Sequence, residues 1–539
     1  CRTAKQAPCT VPRTEESREP LSVQALLSAK CYPHETDGVQ LIETHISWVL
    51  LAGEFAYKIK KPVDFGFLDF TGLADRKHYC EEEVRLNRRL APGLYLDVAT
   101  LRSKDGELRF GDDGKIVEYA VRMRRFEQEN QLDEQLTSGL LVESDMDEIA
   151  RLIGAFHEDS PCANIEDTWG TVEAIVSPAR ENFTHLGDSL RSGRRGALVQ
   201  RLHTWTESAI PALAQPFRAR KTARRIRECH GDLHLRNMAR VNSRIVAFDG
   251  IEFDPALRWI DVISDTAFLV MDLDSRGRPD LAWRFLNGWL QVTGDYESLE
   301  LLRWYLVYRH MVRAKVDAIR MAQPGTDEAE SAALRSRIDA HLSLAIGETE
   351  RSGAALLITC GVSGSGKSWL AERLATRIPA VWARSDVERK RLFGMSPSDR
   401  PGKSQVAKIY GPESGDRTYD RLLAIARTAL AADRSVIVDA TSLDRGRRTA
   451  LLEAARQAGA PALILACAAG ISTLEDRVLS REARNQDPSD AGVEVLRKQL
   501  RERDPFGDDE PVMEIRTDQE TDPDVLANRI RERIAGSPS

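Results

Sequence analysis

A short glycine-rich segment in the second half of the chain, GVSGSGKS, has the residue types that enclose phosphate groups. It fits the pattern G-x-x-x-x-G-K-[ST] at every fixed position. Glycines let such a loop wrap so that backbone N–H groups point at phosphate oxygens, while the lysine reaches the β- and γ-phosphates and the last hydroxyl binds Mg²⁺. The residues predicted to bind a nucleoside triphosphate in this way are Gly361, Ser363, Gly364, Ser365, Gly366, Lys367 and Ser368.

Two carboxylates in the same half follow apolar runs that are typical of buried strands. Asp439 ends the run SVIVD, where it is predicted either to bind Mg²⁺ or to cap the next turn. Asp386 follows the run AVWA and could take a proton from an acceptor hydroxyl, with Arg389 one helical turn later holding a phosphate. The alternative for this pair is a helix N-cap followed by a surface charge.

A row of arginines comes later in this half. Arg477, Arg481 and Arg484 are spaced by four and three residues, which places them on one face of a predicted helix. Such a face could neutralise the charge of a transferring phosphoryl group, and Arg481 is the residue predicted to do so. The alternative is an ordinary solvated helix face.

The first half of the chain carries a second pattern, HGDLHLRN, which has the spacing H-x-D-x-x-x-x-N of a kinase catalytic loop. Asp232 would accept or orient an acceptor hydroxyl, and Asn237 would bind Mg²⁺. About twelve residues later the run IVAFD ends in Asp249, where a second metal-binding carboxylate belongs. Together the two segments predict a second site for a magnesium-bound nucleotide.

The residues that accompany such a loop can be sought upstream. Lys58 ends a predicted strand and is the candidate for binding the α- and β-phosphates, with Lys60 on the same strand face as its rival. Glu83, on the apolar side of a predicted helix, is its expected ion-pair partner, and Glu82 is the alternative. No G-x-G-x-x-G loop precedes Lys58.

The elements that position these residues change character along the chain. Strands joined at a Gly-Glu turn are predicted over residues 47–60, a helix over 76–90 and a strand over 116–124, and helices dominate from residue 146. Continuous apolar strands at 354–360, 435–440 and 462–468 alternate with helical stretches, as in a parallel sheet covered on both faces. The expected domains are a disordered tail at 1–20, a kinase-like domain at 21–325, a helical linker at 326–352 and a P-loop domain at 353–535.

The motifs resemble known kinase families. GVSGSGKS, RSDVERKRLFG, VIVDAT and RVLSREARNQDPSDA together resemble small P-loop kinases related to phage polynucleotide kinase, gluconate kinase and zeta toxins. In the polynucleotide-kinase-like members, an Asp and an Arg spaced like Asp386 and Arg389 serve the acceptor hydroxyl. HGDLHLRN and AFDGIEF resemble the aminoglycoside phosphotransferase family, a branch of the protein-kinase-like fold. Their order resembles bifunctional aminoglycoside phosphotransferase/ATP-binding proteins of the AAA type. The resemblance implies a two-lobed α+β domain followed by an α/β P-loop domain.

Composition narrows the functional class. The net charge of −7 opposes a general nucleic-acid or membrane-surface binder, and no apolar run approaches the length that crosses a bilayer. We therefore expect a cytoplasmic ATP-dependent phosphotransferase with two sites for ATP and Mg²⁺ and hydroxyl acceptors. Those acceptors are small molecules or, for the second half, nucleic-acid ends. The alternatives are one catalytic half with a nucleotide-binding regulatory half, or a non-enzymatic scaffold; the sequence carries no signal for oligomeric state.

Overall fold

The computed structural model describes residues 21–536 except 65, 67, 185–189, 191, 324, 351–352, 398, 400–407, 410, 485–491 and 520–521. The predicted tail at 1–20 lies outside the described residues. The chain divides into two compact units, the first ending at Arg125 and the second beginning at Phe126. Within the described residues, no helix is long and apolar enough to span a membrane.

The first unit is built on an antiparallel sheet with the strand order β1-β2-β3-β6-β4-β5. The predicted pair of strands at 47–60 is confirmed, and Gly53 makes the turn between them with a φ of +56°. Helix α1 packs on the sheet through buried residues that include Val84 and Leu86. The elements of this unit are β1 (Val39–Glu43), β2 (Ser47–Ala52), β3 (Phe55–Lys60), α1 (Leu73–Asn87), β4 (Tyr95–Lys104), β5 (Glu107–Phe110) and β6 (Lys115–Arg124).

The second unit begins with a helical region, which we call the kinase-like part. Two short antiparallel strand pairs, β7 with β10 and β8 with β9, interrupt it. Its elements are α2 (Leu132–Thr137), α3 (Glu143–Asp159), α4 (Val172–Thr184), α5 (Gly193–Thr222), β7 (Ile226–Glu228), β8 (Met238–Val241), β9 (Arg244–Ala247), α6 (Pro255–Arg258), β10 (Trp259–Asp261), α7 (Val262–Ser275), α8 (Pro279–Thr293), α9 (Leu299–Met321) and α10 (Glu328–Thr349).

The remainder of the second unit, the P-loop part, contains a parallel sheet with the strand order β12-β13-β11-β14-β15. Every residue of β11 is buried, as expected for a strand covered on both faces. Its elements are β11 (Leu356–Cys360), α11 (Lys367–Arg377), β12 (Ala380–Arg384), α12 (Ser385–Arg391), α13 (Pro412–Ala431), β13 (Ser435–Asp439), α14 (Arg445–Gln457), β14 (Ala462–Ala468), α15 (Ile471–Arg484), α16 (Val493–Glu502), β15 (Val512–Arg516) and α17 (Pro523–Ala535).

The predicted fold classes are therefore confirmed, with differences at element ends. The helix predicted at 76–90 spans Leu73–Asn87 instead, and it starts directly after Gly72. It ends at Asn87, and in the turn that follows the N–H groups of Leu90 and Ala91 both donate to the Asn87 carbonyl. The strand predicted to run to Asp249 ends at Ala247, and Asp249 adopts a φ of +61°, which no strand residue has.

Candidate functional site

The hairpin of β8 and β9 brings the two predicted metal ligands of the kinase-like part to one end of the ladder. Met238 pairs with Ala247, so the residues just outside the ladder, Asn237 and Phe248, lie opposite each other. The Phe248 N–H donates to the Asn237 carbonyl at 2.9 Å. Asp249 follows directly, and its left-handed backbone turns the chain away from the strand.

Asp232 lies in the same loop as Asn237 and keeps 35% of its side chain exposed. Asn237 Nδ2 donates to Asp232 Oδ2 at 3.0 Å, and His234 Nε2 lies 3.3 Å from the same oxygen. Burial would raise the pKa of the Asp232 carboxyl, but His234 and the guanidinium of Arg313 hold that pKa well below its usual range. The carboxylate is therefore ionised at neutral pH and open to a substrate hydroxyl.

His230 ties the start of this loop to the segment that carries Asp249. The Asp232 N–H lies 3.3 Å from His230 Nδ1, so Nδ1 accepts; His230 Nε2 lies 2.9 Å from the Phe248 carbonyl and must carry the proton. Burial lowers the pKa of His230, which keeps the ring neutral in this arrangement. Gly231 has a φ of +87°, and a Cβ there would lie 2.7 Å from the Leu257 carbonyl oxygen.

The acidic residues that follow the loop in sequence have structural partners. Asp254 and Asp261 cap α6 and α7 by accepting from the N–H groups two residues later. Asp265 lies beneath the loop with no exposed surface and accepts from the backbone N–H groups of His230 and Gly231 at 3.1 and 2.9 Å. Asp265 thus fixes the backbone that leads into Asp232.

In the first unit, Glu83 pairs with both candidate lysines. Lys58 Nζ and Lys60 Nζ each lie 2.8 Å from one oxygen of the Glu83 carboxylate. Burial alone would raise the pKa of Glu83, but the two ammonium groups lower it to about 2. Glu82, the alternative partner, pairs with Arg85 at the surface. The role of Lys58 in binding a nucleotide remains a prediction.

The glycine-rich loop follows β11 and leads into α11, as predicted. Gly364 and Gly366 have φ values of +79° and +84°, and a Cβ at Gly364 would lie 2.7 Å from a carbonyl oxygen of α15. Lys367 Nζ donates to the Val362 carbonyl at 2.8 Å. The Ser363 N–H donates to Gln499 Oε1 at 2.7 Å. These contacts occupy two groups that the sequence predicts for phosphate binding.

Asp439 lies beside this loop because β11, β12 and β13 are parallel and end at the same sheet edge. It is buried, and the Trp382 indole N–H donates to its Oδ2 at 3.2 Å. Burial raises the pKa of the Asp439 carboxyl, an effect that Arg384 and a hydrogen bond from Ser368 oppose only in part. The hydrogen bond between Ser368 and Asp439 therefore places the two predicted Mg²⁺ ligands of this part side by side.

Asp386 and Arg389 lie on α12, which starts at the end of β12. The N-cap of α12 is Arg384, so Asp386 lies within the first turn and does not cap the helix. Arg389 Nη1 lies 4.0 Å from Asp386 Oδ1, and both side chains are partly exposed. A partly exposed carboxylate and a partly exposed guanidinium at the end of a parallel strand are suitably placed to bind an acceptor.

Arg477 contacts the glycine-rich loop from outside. Its Nη1 lies 3.3 Å from the Gly364 carbonyl oxygen and 2.9 Å from the Thr517 hydroxyl. Thr517 in turn donates to the Ser365 carbonyl at 2.8 Å. Arg477 therefore supports the loop, and the side chains of Arg481 and Arg484 lie outside the described residues.

Comparison with known proteins places the chain in a family. A family model described as an AAA domain matches residues 356–506. "Uncharacterized protein Rv2004c" of Mycobacterium tuberculosis (strain ATCC 25618 / H37Rv) is 31% identical over 450 residues, which cover 83% of this chain and 87% of that protein. The chain belongs to the family of this mycobacterial protein. The predicted combination of a kinase-like fold and an AAA-type P-loop domain is confirmed.

Two solved structures that are similar to stretches of the chain have low identity. Amicoumacin kinase hAmiN, in complex with AMP-PNP, Ca²⁺ and Ami, is 13% identical, covers 59% of this chain and 91% of its own, and has a TM-score of 0.38. A gluconokinase from Sinorhizobium meliloti 1021 is 22% identical, covers 35% of this chain and 93% of its own, and has a TM-score of 0.23.

Sequence reasoning missed residues that lie outside the two motifs and contact the kinase-like loop or the glycine-rich loop. Trp382, Gln499 and Thr517 contact the P-loop part's functional groups. His157 supports Asp265 from α3, with its Nε2 3.1 Å from Asp265 Oδ2. Asp265 itself was not missed, because it is one of the acidic residues that follow the loop in sequence and that could orient the loop from below. Trp382, Gln499, Thr517 and His157 match no motif.

Proposed function

We propose that the chain is an ATP-dependent phosphotransferase with two nucleotide sites that transfers the γ-phosphoryl group to hydroxyl acceptors. The observation that carries this proposal is the hydrogen bond between Asn237 and Asp232 beside the turn at Asp249. The same chain also contains a complete glycine-rich loop. Two constellations of this kind favour an enzyme over a scaffold, because each joins a metal-ligand set to an accessible carboxylate.

In the kinase-like part, the oxygen donors suit magnesium. Asn237 commits its amide nitrogen to Asp232, which leaves its side-chain oxygen for a cation, and Asp249 supplies a carboxylate. Bound Mg²⁺ would neutralise the phosphate charge there. Asp232 is ionised, so it would accept a hydrogen bond from the acceptor hydroxyl, orient its oxygen for in-line attack and take its proton as the bond to phosphorus forms.

In the P-loop part, Ser368 and Asp439 are the residues that would hold Mg²⁺, and Lys367 would bind the β- and γ-phosphates. Asp386 would accept the proton of an acceptor hydroxyl, and Arg389 would hold an anionic group of the acceptor or the transferring phosphoryl group. Small molecules are the proposed acceptors; a nucleic-acid end is the second class to test in this part.

One observation favours a second candidate function for the P-loop part, that of a nucleotide-binding regulatory module. Gln499 occupies the N–H of Ser363, and the Val362 carbonyl holds the ammonium of Lys367. A nucleotide must displace both contacts, so its binding would rearrange α16, which carries Gln499. In that case Lys367→Ala would leave all phosphoryl transfer chemistry in place and alter only its rate.

The experiment is a transfer assay with radiolabelled γ-phosphate on aminoglycosides, sugars and other hydroxyl-bearing metabolites, and 5′-hydroxyl oligonucleotides. Wild type is compared with Asp232→Asn and Asp386→Asn in the full chain. We expect each variant to lose labelling of one acceptor class and keep the other. Loss of only one activity across both variants would favour the regulatory module, and no labelling by wild type would contradict the proposal. Salt-sensitive labelling of oligonucleotides would identify a nucleic-acid acceptor.

A further inference from the structure

Helix α8 contacts the two parts of the second unit through opposite faces. Asn287 and Trp289 are two residues apart, which is about 200° around a helix. Both side chains are buried. Trp289 faces the kinase-like loop, whereas Asn287, together with Arg284 and Gln291 at helical spacing, faces the P-loop part.

Trp289 supports the kinase-like loop through a chain of buried hydrogen bonds. Its indole N–H donates to His157 Nδ1 at 3.0 Å. An indole nitrogen can only donate, so His157 Nδ1 accepts and the ring proton lies on Nε2, 3.1 Å from Asp265 Oδ2. Asp265 accepts from the backbone of His230 and Gly231, the two residues before Asp232. The position of α8 is thereby tied to the position of the candidate catalytic loop.

Asn287 completes the edge of the P-loop sheet. Its Oδ1 accepts from the Trp382 N–H at 2.7 Å, and its Nδ2 donates to the Ala380 carbonyl at 2.9 Å. Because β12 is an edge strand, these are the backbone groups that a further strand would bond. The indole N–H of the same Trp382 donates to Asp439, so Trp382 links Asn287 directly to the candidate Mg²⁺ ligand.

The C-terminal end of α8 anchors α12, the helix that carries Asp386. Arg391 donates to two carbonyls in the last turn of α8, and Arg421 donates to the Gly294 carbonyl at 3.0 Å. Both guanidinium groups also contact the fully buried carboxylate of Glu388. Cations at a helix C-terminus satisfy its last carbonyls and interact favourably with its dipole.

The packing of α8 against α3 leaves little room for independent movement. A Cβ at Gly288 would lie 2.7 Å from Ala150 Cβ, and a Cβ at Gly154 would lie 2.6 Å from Val292 Cγ1. Close-packed helices transmit a displacement, because neither contact has space to absorb it. Helix α3 carries His157, so a displacement of α8 would reach the hydrogen bonds beneath the loop through α3 as well.

We propose that α8 couples the two nucleotide sites, so that a nucleotide bound at one site increases the affinity of the other. This proposal rests on the proposed function, because it requires both sites to bind magnesium-nucleotide. A nucleotide that displaces the kinase-like loop displaces α8 and β12 with it, and the second nucleotide then binds a site that is already shifted toward its bound arrangement. The effect must be reciprocal, since linkage between two binding equilibria is symmetric.

The test is calorimetric titration of the full chain with Mg²⁺ and AMP-PNP. In Asp249→Ala only the P-loop site can fill, and we expect its Kd to be about fivefold weaker than in wild type with the first site filled. In an Asn287→Leu background this difference should disappear, whereas Asn528→Leu, the same exchange at an exposed position of α17, should preserve it. Equal Kd values with and without a filled first site would overturn the coupling.

A second measurement needs no change in α8 and so does not depend on how Asn287→Leu folds. In Asp249→Ala, AMP-PNP at the P-loop site should slow amide hydrogen exchange in residues 230–237 of the kinase-like loop; unchanged exchange there would overturn the proposal. The two proposals fail differently. Wild type that binds fewer than two equivalents of nucleotide contradicts the proposed function, whereas two equivalents that bind independently contradict only the coupling.

Discussion

The kinase-like loop and the glycine-rich loop hold their functional groups in opposite ways. Beneath the first, Asp265 bonds the backbone, and His234 and Arg313 keep Asp232 ionised with 35% of its side chain exposed. In the second, Lys367 bonds a carbonyl of its own loop and Trp382 covers the buried Asp439. The first loop thus already presents an ionised, accessible carboxylate, whereas the second must exchange internal contacts for contacts with its ligand.

The largest expected effect, confined to one of the two sites, is that of a substitution at Asp232. We expect Asp232→Asn to lower transfer by the kinase-like site by about 10²–10⁴-fold, because the amide cannot accept the hydroxyl proton. Nucleotide binding at the P-loop site should persist. Steady-state transfer with the acceptor found for this site measures the effect, and Asp159→Asn, at an exposed position of α3, is the matched control. Transfer at the wild-type rate in Asp232→Asn would show that the loop is not the reacting site.

Asp265→Asn tests whether the loop is organised from beneath. An amide can accept from only one side, so one buried backbone N–H loses its partner, at a cost of about 1–3 kcal/mol. We expect kcat at the kinase-like site to fall about tenfold or more, with little change in the KM for ATP. A purely structural role for Asp265 would instead reduce the yield of folded protein and leave kcat unchanged in the folded fraction.

Trp382→Phe tests the opposite claim, that the P-loop site is held closed. Removal of the indole N–H takes one hydrogen bond from Asp439, and one hydrogen bond is worth about 1 kcal/mol net. We expect the affinity for Mg²⁺ and AMP-PNP at this site to rise about fivefold in calorimetry. Trp205→Phe, on α5, provides the same exchange at a distance. Weaker binding in Trp382→Phe would mean that Trp382 supports the liganded state.

The smallest expected effect is a loss of folding stability at acidic pH. His310 Nδ1 and His341 Nδ1 lie 3.1 Å apart between α9 and α10. Burial lowers the pKa of His341 to about 4 and the pKa of His310 well below its usual range. The unfolded chain, with histidine pKa values near about 6.5, then binds more protons, so stability falls as pH drops from about 6.5 toward 4.

Arg309, beside His310 on α9, donates to the Ser264 carbonyl at 3.1 Å under the kinase-like loop, so acid should loosen this part before the P-loop part. Thermal unfolding of wild type between pH 7.5 and 5 measures the slope. His341→Gln should make the slope shallower, and the exposed His78→Gln should not. An unchanged slope in His341→Gln would remove the pair from the acid response.

The parts of each site that are close in sequence could be predicted, and the parts that join distant segments could not. The P-loop and the pairing of Asp232 with Asn237 follow from motifs within eight residues, and the strands around Gly361 follow from continuous apolar runs. Lys60 and Lys58 both reach Glu83 because alternate residues of a strand share one face, so the choice between them could not be made from spacing.

Contacts between distant residues carry no local signal. Asn287 is 95 residues from Trp382 in sequence, and Trp289 is 132 residues from His157. An asparagine in an amphipathic helix does not predict that it will cover a sheet edge, because propensity and periodicity describe only the helix itself. Arg477 fits an arginine face equally well in both interpretations, and only the position of Thr517 shows which partner it has.

The most direct test of the account is the stoichiometry of nucleotide binding to the full chain, measured by calorimetry with Mg²⁺ and AMP-PNP. We predict two equivalents for wild type, one for Lys367→Ala and one for Asp249→Ala. A single equivalent for wild type, or loss of all binding in either variant, would contradict the existence of two separate sites.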